Sequence, residues 1–341
     1  MDQVLSLPNL PTPVGEEPGT LLQAVVYFKN PDNCIHYLAV HRWSDGEPVC
    51  PTCGSKAVGF IASRRMFQCK TRHPKAQFSI KVGTIFEDSP LGLDKWLPAM
   101  WLIASNRNGI SSWELHRALK VTQKTAWFML HRIRLVMQDE RYGGNLGGEV
   151  EVDETWIGGK ARNMHKDRKA RVQKAGRNTG GKTAVLGILE RGSGRIRSHV
   201  IPDRKKETIQ ESVRGNVDPG TQIHSDEHGE QWRMDDEYTH NIVNHLATYV
   251  DGNVHCNGVE NFWSLLKRAI GGTYVSVEPF HLFRYVDEEA FRFNNRLPLS
   301  DKDRFSYLVR KVVGKRLTYA ELTGKVLEKQ AEPGVSAEEL F

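Results

Sequence analysis

The chain has 341 residues, a formal net charge of +6, 39% hydrophobic and 26% charged residues, values of a soluble globular protein too long for one ordinary core. No apolar run reaches membrane-spanning length and the N-terminus lacks the charged-then-apolar order of a signal peptide. Five cysteines, an odd number, do not make a secreted disulfide framework, so a reducing, cytoplasmic setting is expected.

In chain order, residues 1–19 hold four prolines and read as a flexible leader. Residues 20–86 read as a helix followed by a short, turn-rich segment. Residues 87–139 read as all-helical, with a glycine-rich linker after them. Residues 149–300 mix strands with helices, the pattern of an α/β domain, and 301–341 read as a helical tail.

Within the turn-rich segment, Cys50-Pro51-Thr52-Cys53-Gly54 is half of a zinc knuckle. Two thiolates spaced by two residues can grip one tetrahedral ion, and the glycine permits the turn behind them. Cys69 supplies a third thiolate. Arg72 stands where a second CxxC would place its last cysteine, and His73 is the candidate fourth ligand. Incidental or redox-active thiols are the alternative. Cys34 and Cys256 fall outside this spacing and read as buried free thiols.

Ser111 and Glu114 have the spacing of a capping box, and Thr122 can cap a second helix from Gln123 to about Gln138. Ala126, Leu130, Ile133 and Met137 share one face, which leaves Gln123, Lys124, His131, Arg132 and Arg134 for solvent. Two helices with a tight turn and a basic second helix match a helix-turn-helix, with Gln123 and Lys124 near base edges and Arg132 and Arg134 on phosphates. A plain helical hairpin with a solvated face is the alternative.

Three carboxylates stand in separated segments. Strand alternation in 150–155 sends Val150 and Val152 to one side and Glu151 and Asp153 to the other, an open face suited to a metal. Strands follow at 183–190 and 195–201, joined by the hairpin turn Arg191-Gly192-Ser193-Gly194. A fourth strand, 221–225, delivers Asp226. A helix from Val259 has Val259, Phe262, Trp263, Leu266 and Ile270 as its buried stripe. Glu260, Ser264 and Lys267 form a second stripe, with Lys267 about 10 Å along the axis from Glu260. Carboxylates are the hard donors that Mg²⁺ prefers, and two such ions serve phosphoryl transfer. Glu154 and Glu227 adjoin the two aspartates; strand direction favours Asp153 over Glu154, and nothing separates Asp226 from Glu227. Surface carboxylates of no special role are the alternative. Between Lys160 and Lys182 lie nine Lys or Arg residues and one acid. Lys160, Lys166, Arg168 and Lys169 there could clamp a nucleic-acid backbone, or the loop could merely solubilise.

Taken together, Cys50–Gly54, Gln77–Phe86, Thr122–Trp127, Val152–Lys160, Ser225-Asp-Glu-His228, Asn257–Lys267 and Phe291–Arg296 resemble the DDE transposases of bacterial insertion sequences, in the group with a zinc ribbon ahead of the catalytic domain. The resemblance implies a ribonuclease-H-like catalytic domain preceded by the ribbon and the helix-turn-helix. It implies Asp153, Asp226 and Glu260 as the catalytic triad, holding two Mg²⁺ or Mn²⁺ ions, and one structural Zn²⁺ on Cys50, Cys53, Cys69 and His73. It further implies cleavage at element ends, strand transfer into target DNA, and a homodimer or larger assembly on DNA at the nucleoid. A domesticated DNA-binding regulator and a stand-alone nuclease of the same fold are the rival readings.

Overall fold

The computed structural model describes residues 10–138, 144–158, 181–242 and 255–325. The chain divides into two compact units, one of residues up to Val136 together with those from Leu297 onwards, the other Met137–Arg296.

The first unit opens with helices α1 (Leu21–Phe28) and α2 (Pro31–Arg42). Thr20 caps α1 in a reciprocal capping box with Gln23, and Asn30 caps α2 with Pro31 at its first position, where a missing N–H costs nothing. A small antiparallel sheet follows: β1 (Val58–Ile61), β2 (Met66–Cys69) and β3 (Gln77–Phe78), in that order. Its core is a run of aromatic contacts, Trp43 and Phe60 on Phe67 and Phe67 stacked on Phe78. Three helices come next, α3 (Leu93–Ser105), α4 (Ser112–Leu119) and α5 (Gln123–Met137). The Ser111–Glu114 capping box is present, and the Thr122 hydroxyl accepts from the Thr125 amide. The tail does not stand apart: helix α9 (Asp301–Arg310, after the second unit's helices) packs Phe305 against Phe28, Tyr37 and Trp101.

Helix α5 departs from the expectation for its polar face. His131, Arg132 and Arg134 are buried, not offered to solvent. Arg132 donates to the carbonyls of Leu317 and Glu87 and lies over the Phe128 ring. A guanidinium has five donors and no acceptor, so backbone carbonyls brought in from distant segments make an internal site for it.

The second unit is a five-stranded sheet with helices on both faces. Its strands are β4 (Glu149–Ile157), β5 (Thr183–Glu190), β6 (Arg195–Ile201), β7 (Gln222–Ser225) and β8 (Thr239–Ile242). The order across the sheet is β6-β5-β4-β7-β8. The first three are antiparallel neighbours, while β7 runs parallel to β4 and β8 parallel to β7. Alternation along β4 and β5 sorts side chains into two cores. Val150, Val152, Leu186 and Ile188 pack with Ile209 and Val213 of α6 (Lys206–Arg214). Val185 and Leu189 pack with Val259, Phe262, Trp263 and Leu266 of α7 (Asn257–Arg268) and with Val286 and Ala290 of α8 (Leu282–Asn294). At the sheet's edge the Asn294 amide accepts from the Ile196 N–H and donates to its C=O, an amide standing in for a further strand.

Candidate active site

Asp153 lies midway along β4, the strand at the centre of the sheet. The face that carries it is not open: α7 covers it, because the stripe Val259, Phe262, Trp263 and Leu266 needs burial and finds Val185 and Leu189 beneath. Residue 187 of β5 is glycine for the same reason, since a Cβ there would lie 2.7 Å from the Trp263 ring. The Trp263 indole N–H donates to Asp153 Oδ2 at 2.9 Å and the Glu154 amide to Oδ1 at 2.8 Å.

Asp226 follows β7 directly and caps the short helical turn after it, its Oδ1 accepting from the His228 amide at 2.9 Å. The end of β7 is held by a buried pair, the Ser225 hydroxyl and His240 Nε2 on β8, 2.8 Å apart. Burial holds His240 down at about 4, so this partner is neutral. Gly229 has to be glycine, because a Cβ would fall 1.8 Å from Ser225 Oγ.

Burial, then the neighbouring charges of Asp226 and Glu154, push the Asp153 carboxyl up to about 7, against the ordinary 3.8. The thiol of Cys256, buried just ahead of α7, is pushed well up by burial and by the charges of Asp153, Glu151, Asp226 and Glu260. Asp226 is thus close enough for like charge to oppose the ionisation of Asp153, and Cys256 feels carboxylates from all three segments. That crowding, with hard oxygen donors, fits a divalent cation. Among the described residues the three carboxylates are not drawn to within 4.8 Å of one another. Of the adjoining acids, Glu154 is paired with Arg204 and, after Asp226, also opposes the ionisation of Asp153. Glu260 sits in the first turn of α7, exposed, with Ser264 and Lys267 exposed on the same stripe.

Two contributors escaped the sequence reading. Glu151, assigned there to an open face, is buried and bonded to the first amides of α7. Trp263 was read only as core; a buried indole N–H seeks an acceptor, and that was the available sign.

In the first unit, Cys50, Cys53, Cys69 and His73 bring their ligand atoms within 4.8 Å of one another. Cys50 Sγ is 3.4 Å from His73 Nε2, and Cys53 Sγ is 3.6 Å from Cys69 Sγ. His73 Nδ1 lies 2.6 Å from the Pro74 carbonyl; donation there leaves Nε2 for a metal, the usual arrangement of a ligating histidine. Burial raises the Cys69 thiol, but hydrogen bonds from His73, the Thr71 amide and Cys53 outweigh it and hold the group at about 6. Gly54 turns at φ +73° behind the knuckle. The set fits a structural zinc ion. Cys34 and Cys256 are buried free thiols.

The expected nucleic-acid contacts divide. Gln123 donates to the Ser112 hydroxyl, and Lys124 lies over the Tyr319 ring; Arg132 and Arg134 are buried. Lys267 is exposed. Lys160, Lys166, Arg168 and Lys169 lie outside the described residues. Among the described residues no helix is long and apolar enough to cross a membrane.

Comparison with known proteins places both residue sets within or beside matched domains. Residues 29–71 match a transposase zinc-ribbon domain, and residues 145–294 match an ISXO2-like transposase domain. The first match stops short of His73, which the structure nevertheless brings to the three cysteines. The chain is also similar to an uncharacterised protein in transposable element ISH50 of Halobacterium salinarum. The identity is 28% over 256 residues, covering 71% of this chain and 83% of that protein. With both domains in order and a transposable-element relative along most of its length, the chain belongs to the insertion-sequence transposases of the DDE class, with a zinc ribbon ahead of the transposase domain.

Proposed function

We propose that the protein cleaves DNA at the ends of its own mobile element and joins the freed 3′-hydroxyl to target DNA, with Asp153, Asp226 and Glu260 as the catalytic carboxylates. One observation carries the reading. The ionisation of Asp153, at the middle of the central strand, is opposed by the charge of Asp226 from the neighbouring strand, inside the segment that matches a transposase domain. Strand order β6-β5-β4-β7-β8, with three antiparallel strands and then two parallel ones, supports a ribonuclease-H-like sheet.

Divalent cations, when bound, would supply an activated oxygen and neutralise charge on the leaving oxygen. The chain's own part is positional. Trp263 and the Glu154 amide hold both oxygens of Asp153. The turn after β7 holds Asp226. Glu260 stands in the first turn of α7, and Lys267, two turns on along the same helix, would take a phosphate near the scissile one. DNA is the partner, two protomers are needed to join two ends, and the zinc ribbon serves end recognition.

The test is a joining assay with labelled element ends, a supercoiled plasmid and Mg²⁺. Joined products support the proposal. Cleavage alone would make the protein a nuclease, and binding without reaction would make it a regulator. Asp153→Asn should abolish joining while leaving end binding within a few-fold.

A further inference from the structure

We infer that Glu151 is a positioning residue, whose carboxylate caps the N-terminus of α7 from strand β4 and thereby sets where Glu260 stands. The inference rests on the catalytic reading of Glu260. A helix leaves its first amides without intrahelical acceptors, and these are usually met by a Ser, Thr, Asp or Asn at the position before the helix. Here that position is Cys256, which offers no side-chain cap. The first amide with a partner inside the helix is that of Glu260, which donates to the Cys256 carbonyl. The amides of Gly258 and Val259 donate instead to Glu151 Oε2, at 2.8 and 3.0 Å.

The cap is itself clamped. Glu151 Oε1 accepts from Arg191 Nε at 3.0 Å and lies 3.3 Å from His255 Nδ1. Arg191 also reaches Glu149 Oε2 at 3.1 Å and the His255 carbonyl at 2.5 Å. The chain entering α7 and the strand beside it are therefore bound to one guanidinium. Residue 258 has no room for a side chain: a Cβ would lie 2.8 Å from Glu151 Oε2 and 3.0 Å from Leu189 Cδ2. Charged acceptors hold amides more strongly than neutral ones, and the helix dipole adds to the attraction. Strand β4 thus carries Asp153 directly and, two residues earlier on the same face, grips the helix that carries Glu260. One rigid element sets the spacing of two of the three acids.

The test compares the full-length wild-type chain with Glu151→Ala, Glu151→Gln, Gly258→Ala and the double variant Glu151→Ala/Gly258→Ala. Amide hydrogen exchange is measured first, without metal. Glu151→Ala should speed exchange at Gly258 and Val259 about tenfold to hundredfold while β5 amides keep their protection. Glu151→Gln, which keeps one acceptor oxygen, should recover part of the protection. Gly258→Ala should reproduce the effect, and the double variant should be no worse than Glu151→Ala, because the two changes remove one contact. In the joining assay the Mg²⁺ needed for half-maximal rate should rise about tenfold to hundredfold with unchanged end affinity. Protection at 258 and 259 that survives Glu151→Ala, or an unchanged Mg²⁺ requirement, overturns the inference. Should Glu151→Ala not fold, Gly258→Ala and Glu151→Gln give the same two readouts. Glu260→Gln is the reference: if it still joins strands, the catalytic reading of Glu260 fails, and the positioning role with it, whatever the exchange data show.

Discussion

Replacing Asp153 with Asn should stabilise the metal-free protein, and only above mildly acidic pH. The folded carboxyl titrates near 7 against an ordinary value of 3.8, because burial and the charges of Asp226 and Glu154 oppose its ionisation. Below pH 3.8 the group is protonated folded or unfolded and has no effect. As pH rises from there to about 7 the unfolded chain gives up its proton first, so the folded state binds more protons and stability falls. Above about 7 both forms are ionised and the full penalty applies. The difference corresponds to about 4 kcal/mol at 1.36 kcal/mol per pH unit, and counter-ions reduce this to about 2–4 kcal/mol. Asparagine carries no charge and escapes this penalty, but its NH2 cannot accept, so it gives up one of the two N–H bonds that Asp153 receives from Trp263 and Glu154, an offset of about 1 kcal/mol. Scanning calorimetry in chelator should put the variant level with wild type or a few degrees below it near pH 3.5 and above it at pH 8, the gap moving in the variant's favour by roughly 5–15 °C between the two. Added Mg²⁺ should raise the wild-type Tm and leave the variant's almost unchanged. Equal Tm values at pH 8, or a gap that does not change with pH, would refute the crowding of charge on which the site rests.

Other changes separate the residues that the structure uses differently. Glu154→Gln should keep joining activity within about tenfold, since Glu154 is already paired with Arg204, while Asp226→Asn should abolish it; the joining assay decides. Arg132→Met should cost about 2–4 kcal/mol in denaturant unfolding, because the buried Leu317 carbonyl and the part-buried Glu87 carbonyl lose their donor. The salt dependence of its DNA binding should match wild type, whereas a true phosphate contact would lower the slope of log K against log salt by about 1. One zinc should bind per chain, with His73→Ala weakening it at least about tenfold and Cys69→Ser abolishing it, as read by metal analysis after chelator competition.

Much of the sheet and helix α7 were legible because their signals are local, apolar runs closed by turn residues for strands and 3–4-residue spacing for the helix. The hairpin turn Arg191-Gly192-Ser193-Gly194 marks the facing ends of β5 and β6, and the spacing of Val259, Phe262, Trp263 and Leu266 gives α7 its buried face. Strand β8 was not legible. Thr-His-Asn-Ile has one strongly apolar residue, and only pairing with β7 makes it a strand. The solvent face expected for α5 failed because the acceptors of Arg132 lie 45 and 185 positions away. The cap on α7 was hidden by the same kind of separation, since Glu151 and the amides it accepts are 107 and 108 positions apart. Cys50, Cys53 and Cys69 could be read from spacing. His73 needed the fold to bring its Nε2 to Cys50.

The most direct measurement is a structure of the protein on a cleaved element end, grown with Mn²⁺ and located by its anomalous signal. Manganese bridging Asp153 and Asp226, with Glu260 completing its ligands, is the predicted result. An ordered ion held instead by Glu154 or Glu227, with any of the three named carboxylates pointing away, would contradict the account.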